Sequence, residues 1–131
     1  MIDHAGFTVS DYARSRAFYE RILAPLGYAV VMEVTERETG PGGYQGCGFG
    51  PPGRPHFWVG TGSTPGSGTH VAFVAPSRAA VDAFHAEAMA AGARDNGAPG
   101  LRPHYHPDYY GAFVFDPDGN NVEAVCHAPA A

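Results

Sequence analysis

The sequence predicts an α+β fold built from two copies of a βαβββ module. Three observations support this prediction: an internal repeat, strand and helix signals in the same order in both halves, and a hairpin turn near the end of the chain. The chain has 131 residues, which suits one domain of ordinary size. We therefore expect a single domain over 1–131, with module 1 at about 1–65 and module 2 at about 66–131.

The repeat is clearest where each half begins. Four pairs of identical residues stand 66 positions apart: His4 and His70, Phe7 and Phe73, Ala17 and Ala83, Phe18 and Phe84. Gly27 and Gly92 follow at an offset of 65. Two amphipathic strand–helix segments could match by coincidence, but four matches in one register favour a duplication.

Module 1 begins with a strand, because residues 2–9 alternate between apolar and polar. Ser10 is the expected N-cap of the first helix, and Asp11 lies in its first turn near the positive end of the helix dipole. Pro25 should end this helix. Further strands are expected over 28–35, near 44–49 and near 56–60.

Module 2 repeats this order. Residues 69–75 predict a strand, Ser77 the N-cap of a helix, and Gly92 the end of that helix. A short strand is expected at 93–95, and two clear strands at 110–115 and 121–126. The Asp-Pro-Asp-Gly segment between the last two strands favours a tight turn, because Pro presets one dihedral angle and Gly accepts a positive φ.

Composition excludes several classes of protein. The net charge of −5 offers no attraction to a phosphate backbone, so we expect no nucleic-acid partner. No apolar run is long enough to span a membrane, and the start of the chain does not resemble a signal peptide. With only Cys47 and Cys126, a disulfide scaffold is not expected, so the prediction is a cytoplasmic protein with reduced thiols.

The motifs of both halves together resemble the vicinal oxygen chelate superfamily, which includes glyoxalase I, bleomycin-resistance proteins, fosfomycin-resistance enzymes and extradiol dioxygenases. The resemblance rests on these segments: His4 with Val9-Ser10-Asp11, Arg16-Ala-Phe18-Tyr19, Leu26-Gly27, His70-Val-Ala-Phe73 and Asp116-Pro-Asp-Gly-Asn-Asn-Val-Glu123. It implies an open, cup-shaped mixed sheet with the helices outside, a metal and a small-molecule substrate inside the cup, and a homodimer.

Strand alternation suggests which residues could hold the metal. Phe7 and Val71, being bulky and apolar, should pack under the helices, which sends His4 and His70 to the opposite face of their strands. With Glu123 they form a set of two imidazoles and one carboxylate, at the positions where the superfamily places its ligands. Such a set suits one divalent ion, of which Zn, Fe, Mn and Ni are candidates.

One position departs from the superfamily pattern. Glyoxalase I-like members carry a second carboxylate near the position equivalent to Phe57, and the strand His56-Phe57-Trp58-Val59 has no acid. A site with three protein ligands is more similar to the fosfomycin-resistance enzymes or the dioxygenases. His56 could replace the missing ligand only if the strand slipped by one residue, which would reverse every side chain.

A second group of candidates surrounds the proposed cup. The segment 102–110 is the densest polar and aromatic cluster, and His106 and Tyr110 are the candidate proton carriers within it. Arg102 could bind a substrate carboxylate or phosphonate, and Tyr105 lies nearby in sequence. The candidates for an aromatic wall are Phe57 and Trp58. A rigid surface loop and ordinary core packing are the alternatives for these residues.

The leading hypothesis is therefore a metal-dependent lyase, dioxygenase or transferase that acts on a small molecule chelated through vicinal oxygens. The first alternative is a metal-free protein that binds and sequesters a drug or metabolite, as bleomycin-resistance proteins do. The second is a thiol transferase similar to the fosfomycin-resistance enzymes.

Overall fold

The computed structural model describes residues 2–130. Its helices are α1 (Tyr12–Leu23), a 3-10 turn (Ala24–Leu26), α2 (Glu36–Thr39) and α3 (Arg78–Ala90). Its strands are β1 (Ala5–Thr8), β2 (Ala29–Val34), β3 (Gly46–Gly50), β4 (Phe57–Gly60), β5 (His70–Val74), β6 (Arg94–Leu101), β7 (Tyr110–Phe115) and β8 (Asn121–Cys126).

The strands form two open, mixed four-stranded sheets with the same topology. Their orders are β1-β4-β3-β2 and β5-β8-β7-β6. In each sheet the first strand pairs in parallel with the last strand of its module, and the other pairs are antiparallel. The predicted α+β fold of two βαβββ modules is thus confirmed.

The long helices begin where short polar side chains cap them. Ser77 accepts a hydrogen bond from the backbone of Ala80, which confirms it as the N-cap of α3. In the first module Asp11, not Ser10, is the cap, because its carboxylate accepts from the Arg14 backbone. The Ser10 backbone N–H is instead directed toward the side chain of Asp118 in the second module.

Two elements differ from the expectation. Strand β6 has 8 residues and continues through Gly97 and Pro99, because two irregularities in its pairing with β7 absorb the breaks. The short helix α2 was not expected, and a capping box between Thr35 and Glu38 stabilises it.

The helices of the two modules contact each other on one side of the sheets. Arg21 of α1 donates to Glu87 of α3 over 2.7 Å, and these residues occupy equivalent positions of the repeat, 66 apart. Both side chains are about half exposed, so the ion pair adds little to stability.

One apolar core spans both modules. At its centre Phe57 makes edge-to-face contacts with Phe7, Tyr19 and Phe73 at ring distances of 5.0–5.2 Å. Phe57 is only 2% exposed, which corrects the expectation that it lines the substrate site. Its neighbour Trp58 points to the other face of β4 and is half-buried.

A buried carboxylate also joins the modules. Asp116, in the turn between β7 and β8, accepts a 2.6 Å hydrogen bond from the Tyr19 hydroxyl of α1. It also accepts from the backbone of Asp118 and from both the backbone and the side chain of Asn120. Burial, together with the charge of Asp116, raises the pKa of Tyr19 well above its usual value. The Tyr19 proton therefore stays in place as a donor.

Both cysteines are buried and unpaired. Among the described residues no helix combines the length and apolarity that a membrane span requires.

Replacing Tyr19 by phenylalanine should lower the free energy of unfolding by about 1.5–3 kcal/mol, since it removes one hydrogen bond from a buried carboxylate. Urea denaturation of both proteins measures this difference. Tyr28→Phe is the control, because Tyr28 packs on Phe73 and loses the same atom. Equal effects of the two substitutions would contradict the role assigned to Asp116.

Candidate metal centre

Glu123 lies in the middle of β8 and is only 2% exposed. Its side chain projects from the face of the sheet opposite the core, because its neighbours Val122 and Ala124 belong to the core. One carboxylate oxygen lies 3.2 Å from Nε2 of His70. The other accepts a short hydrogen bond from the hydroxyl of Tyr109. A buried carboxylate with two polar partners thus lies on the open face of the second sheet.

The orientation of His70 defines the chemistry of this pair. Its Nδ1 lies 3.0 Å from the backbone carbonyl oxygen of Asn121, which can only accept, so Nδ1 carries a proton. Nε2 faces an oxygen of Glu123 and, without a proton of its own, is a second acceptor beside it. Two acceptors this close require a positive charge between them, which either a proton or a metal ion supplies. The donor set therefore fits a divalent cation.

Tyr109 completes the surroundings of Glu123, although sequence analysis selected its neighbour Tyr110. The hydroxyl of Tyr110 donates to Asp82 of α3 over 2.6 Å, on the helix side of the sheet. The prediction that Tyr110 serves the site is therefore wrong. Burial, followed by the hydrogen bond to Glu123, raises the pKa of Tyr109 far above its usual value. Tyr109 is thus a neutral donor at physiological pH.

The backbone of β7 leaves room for this arrangement. A Cβ atom at Gly111 would lie 3.2 Å from the Glu123 carboxylate and 3.2 Å from the Tyr109 ring. The glycine therefore lets the side chains of the two residues meet above the strand.

Arg102 lies beside this centre with its guanidinium group fixed in place. It donates to the backbone carbonyls of Gly100 and Ala98 at 2.9 and 2.8 Å. Its plane lies over Phe113, 5.4 Å from the ring centre, and Phe113 in turn stacks on His70. Carbonyl partners leave the positive charge uncompensated, so this cation is available to an anionic group.

The aromatic loop before β7 forms the rim of the site. Tyr105 is 63% exposed, and its ring lies 5.0 Å from that of Tyr109. His106 lies 5.8 Å from the ring of His127, which also contacts Tyr109. Nδ1 of His106 accepts from the backbone of Asp108. His106 therefore belongs to the rim and has no direct contact with Glu123 or His70.

His4 lies in a different part of the molecule. It pairs with Asp3 over 2.7 Å and is 60% exposed. It lines a cleft together with Arg54, His56 and Trp58. Within residues 2–130 no three His, Cys, Asp or Glu side chains are arranged to hold a metal. A single chain thus brings His70 and Glu123 together but does not bring His4 to them.

The open face of the first sheet is formed by glycine and aromatic residues. A Cβ at Gly48 would overlap the Trp58 ring, and one at Gly46 or Gly60 would overlap Tyr44. The glycines therefore leave the space that the two aromatic rings occupy on this face. Sequence analysis selected Trp58 as a candidate for an aromatic wall but did not select Tyr44.

The ionisation of Tyr109 should depend on Glu123. Glu123→Gln removes a negative charge and is expected to lower the pKa of Tyr109 toward the usual tyrosine value. NMR titration of carbon-labelled tyrosines measures the change. The pKa of Tyr110 is raised by its hydrogen bond to Asp82 and should not move. Asp82→Asn is the matched control and should lower the pKa of Tyr110 alone. An unchanged Tyr109 titration in Glu123→Gln would contradict the assigned contact.

Comparison with known proteins agrees with this fold. The family model of the glyoxalase/bleomycin resistance protein/dioxygenase superfamily matches residues 1–124. No curated protein sequence matches the chain.

Solved structures share the architecture. A glyoxalase/bleomycin resistance protein from Albidiferax ferrireducens T118 is 28% identical, with a TM-score of 0.74 over 97% of this chain and 98% of the other. The Listeria monocytogenes fosfomycin resistance protein FosX, in a mutant form complexed with Mn(II) and dihydroxypropylphosphonic acid, is 16% identical, with a TM-score of 0.69 over 96% and 91%. A glyoxalase I mutant from Zea mays is 19% identical, with a TM-score of 0.67 over 95% and 43%. Because the family model matches residues 1–124, the chain belongs to the glyoxalase/bleomycin resistance protein/dioxygenase superfamily.

Proposed function

We propose that the protein is a metal-dependent enzyme that acts on a small molecule bound through two adjacent oxygen atoms. The observation that carries this proposal is the contact between Nε2 of His70 and the buried carboxylate of Glu123, 3.2 Å apart. With Nδ1 of His70 directed at a backbone carbonyl, Nε2 faces the carboxylate, and the two groups would hold a divalent ion together. Mn, Fe, Zn and Ni are the divalent candidates.

His4 is proposed as the third ligand, contributed by a second copy of the chain. His70 and Glu123 alone leave a divalent ion short of protein ligands. His4 is exposed and lies apart from them within one chain. In a two-fold symmetric dimer, a ligand donated in one direction is also donated in the other, so two equivalent centres form.

The surrounding residues have separate roles in this proposal. A bound metal would supply Lewis-acid stabilisation of the charge that develops on the substrate oxygens. Arg102 binds a carboxylate or phosphonate group of the substrate and so orients it. Tyr109 holds the Glu123 carboxylate in place through the hydrogen bond that its hydroxyl donates. Tyr105 shields the entrance to the metal site. His106 on the rim is the candidate that exchanges protons with solvent.

The second candidate function is that of a protein that binds a ligand and catalyses no reaction. The observation that favours it is the presence of two aromatic rings, Trp58 and Tyr44, packed against glycines on the open face of the first sheet, which suits a planar apolar ligand. The metal measurement below separates the two candidates, because a sequestering protein of this kind does not need His70 and Glu123.

Wild-type protein incubated with Mn(II), Fe(II), Zn(II) or Ni(II) should retain about one equivalent of one of these metals per chain. His70→Ala and Glu123→Gln should each lose most of it, since each removes a ligand. Elemental analysis of the dialysed protein measures the content. His85→Ala is the control, because it removes another histidine–carboxylate pair, that with Asp95. Absence of metal from the wild type would favour the binding protein, and equal loss in the control would contradict the assigned centre.

A mixed dimer tests whether His4 acts across subunits. His4→Ala protein alone should bind little metal, because both of its centres lack the third ligand. When His4→Ala and Glu123→Gln chains are co-expressed with different tags, the purified mixed dimer should regain about half of the wild-type metal. One of the two centres in this dimer then contains His4 from the Glu123→Gln chain, together with His70 and Glu123 from the His4→Ala chain.

The matched control is a mixed dimer of His70→Ala and Glu123→Gln chains. These two residues belong to the same chain in each centre, so neither centre is intact and no metal should return. If the first mixed dimer also stays empty while wild type binds metal, His4 is not a ligand from the second copy. Activity screens with diols, α-ketoaldehydes and thiol cosubstrates then follow on the metal-loaded protein.

A further inference from the structure

A second cleft lies where the two modules meet, and it shares no residue with the proposed metal centre. It is formed by α1, by the segment that follows α3, and by the end of β7. Its volume is about 460 Å³, within the roughly 300–1,000 Å³ typical of small-molecule pockets.

Three arginines surround this cleft, although the chain as a whole is acidic. Arg14 and Arg21 come from α1, and Arg94 begins β6. They are three of the eight basic residues in a protein whose net charge is −5. Arg21 pairs with Glu87, whereas no salt bridge among the described residues involves Arg14 or Arg94. Two guanidinium groups are thus free to bind an anion.

The walls between these charges are apolar. Phe18 and Ala17 of α1 face Phe115 at the end of β7. Arg94 and Phe115 are cross-strand neighbours, and the guanidinium group lies 4.2 Å from the centre of the ring. The aromatic ring therefore fixes the cation at the edge of an apolar surface.

The charged groups around the cleft leave a net positive charge. Asp116 borders the cleft and is 5% exposed. Its oxygens accept from Tyr19, from the Asp118 backbone and from Asn120, and these neutral partners leave its negative charge in place. Glu87 is paired with Arg21. The two unpaired guanidinium groups of Arg14 and Arg94 therefore outnumber the one unpaired carboxylate.

We infer that this cleft is a second binding site, for a small organic anion with an aromatic body. The anionic group contacts Arg14 and Arg94, and the aromatic body lies between Phe18 and Phe115. A ligand here touches both modules, so its binding strengthens the contact between them. The inference does not depend on the proposed catalytic function, because no residue is common to the two sites.

Isothermal titration calorimetry with naphthalenesulfonate tests this site on the intact protein. Wild type should bind the sulfonate, and the neutral isostere naphthalenesulfonamide should bind about tenfold more weakly, since it lacks the charge. Arg14→Gln and Arg94→Gln should each weaken sulfonate binding several-fold. Ala17→Phe should abolish it by filling the cleft, and this exposed position can accept the larger side chain without disturbing the core.

The matched control is Arg37→Gln, which removes one exposed cation on α2, outside the cleft. It should leave sulfonate binding unchanged. The inference is overturned if the sulfonate does not bind at millimolar concentration, if the sulfonamide binds equally well, or if Arg37→Gln weakens binding as much as Arg94→Gln. Undiminished binding by Ala17→Phe would also overturn it.

Discussion

The structure depends on the buried carboxylate of Asp116. It closes the turn between β7 and β8 through backbone donors, and it accepts the Tyr19 hydroxyl from the other module. A single side chain thus sets the turn that brings the last two strands into register and fixes the second sheet against α1. Because Glu123 lies four positions after the last of the turn residues, its placement follows from this one network. Unpaired burial of such a charge would be costly, so the network must form as a whole.

The carboxylate of Glu123 is also buried, so it also requires polar partners. The fold buries it on the face of the sheet that has no helix, where hydrophobic packing does not explain its presence. Its partners, His70 and Tyr109, come from the two strand regions that flank β8, and Gly111 leaves the space in which they meet. A carboxylate held in this way is oriented by its protein neighbours alone. Its orientation is therefore a consequence of folding.

Much of this could be predicted from the sequence, because the repeat and the two-residue period of strands determine which side chains share a face. That period alone places Phe7 on the face of β1 that packs under a helix, and His70 on the face of β5 that points away from the helices. The period did not distinguish Tyr109 from Tyr110, since β7 begins inside a loop rich in Pro and Tyr where no alternation is visible. Phe57 was misplaced because aromatic residues suit a core and a binding wall equally well. The full length of β6 was not predicted, because Gly97 interrupts the strand pattern in the sequence. The strand continues through irregular pairing with β7, which the sequence of β6 alone does not indicate.

The ion pair between Arg21 and Glu87 has a consequence for the relation between the two modules. The two residues stand 66 positions apart, the offset of the repeat, and their side chains meet. If both modules presented the same residue here, two like charges would meet and repel each other. The modules therefore contact each other through complementary rather than identical surfaces, and neither module could take the place of the other at this contact.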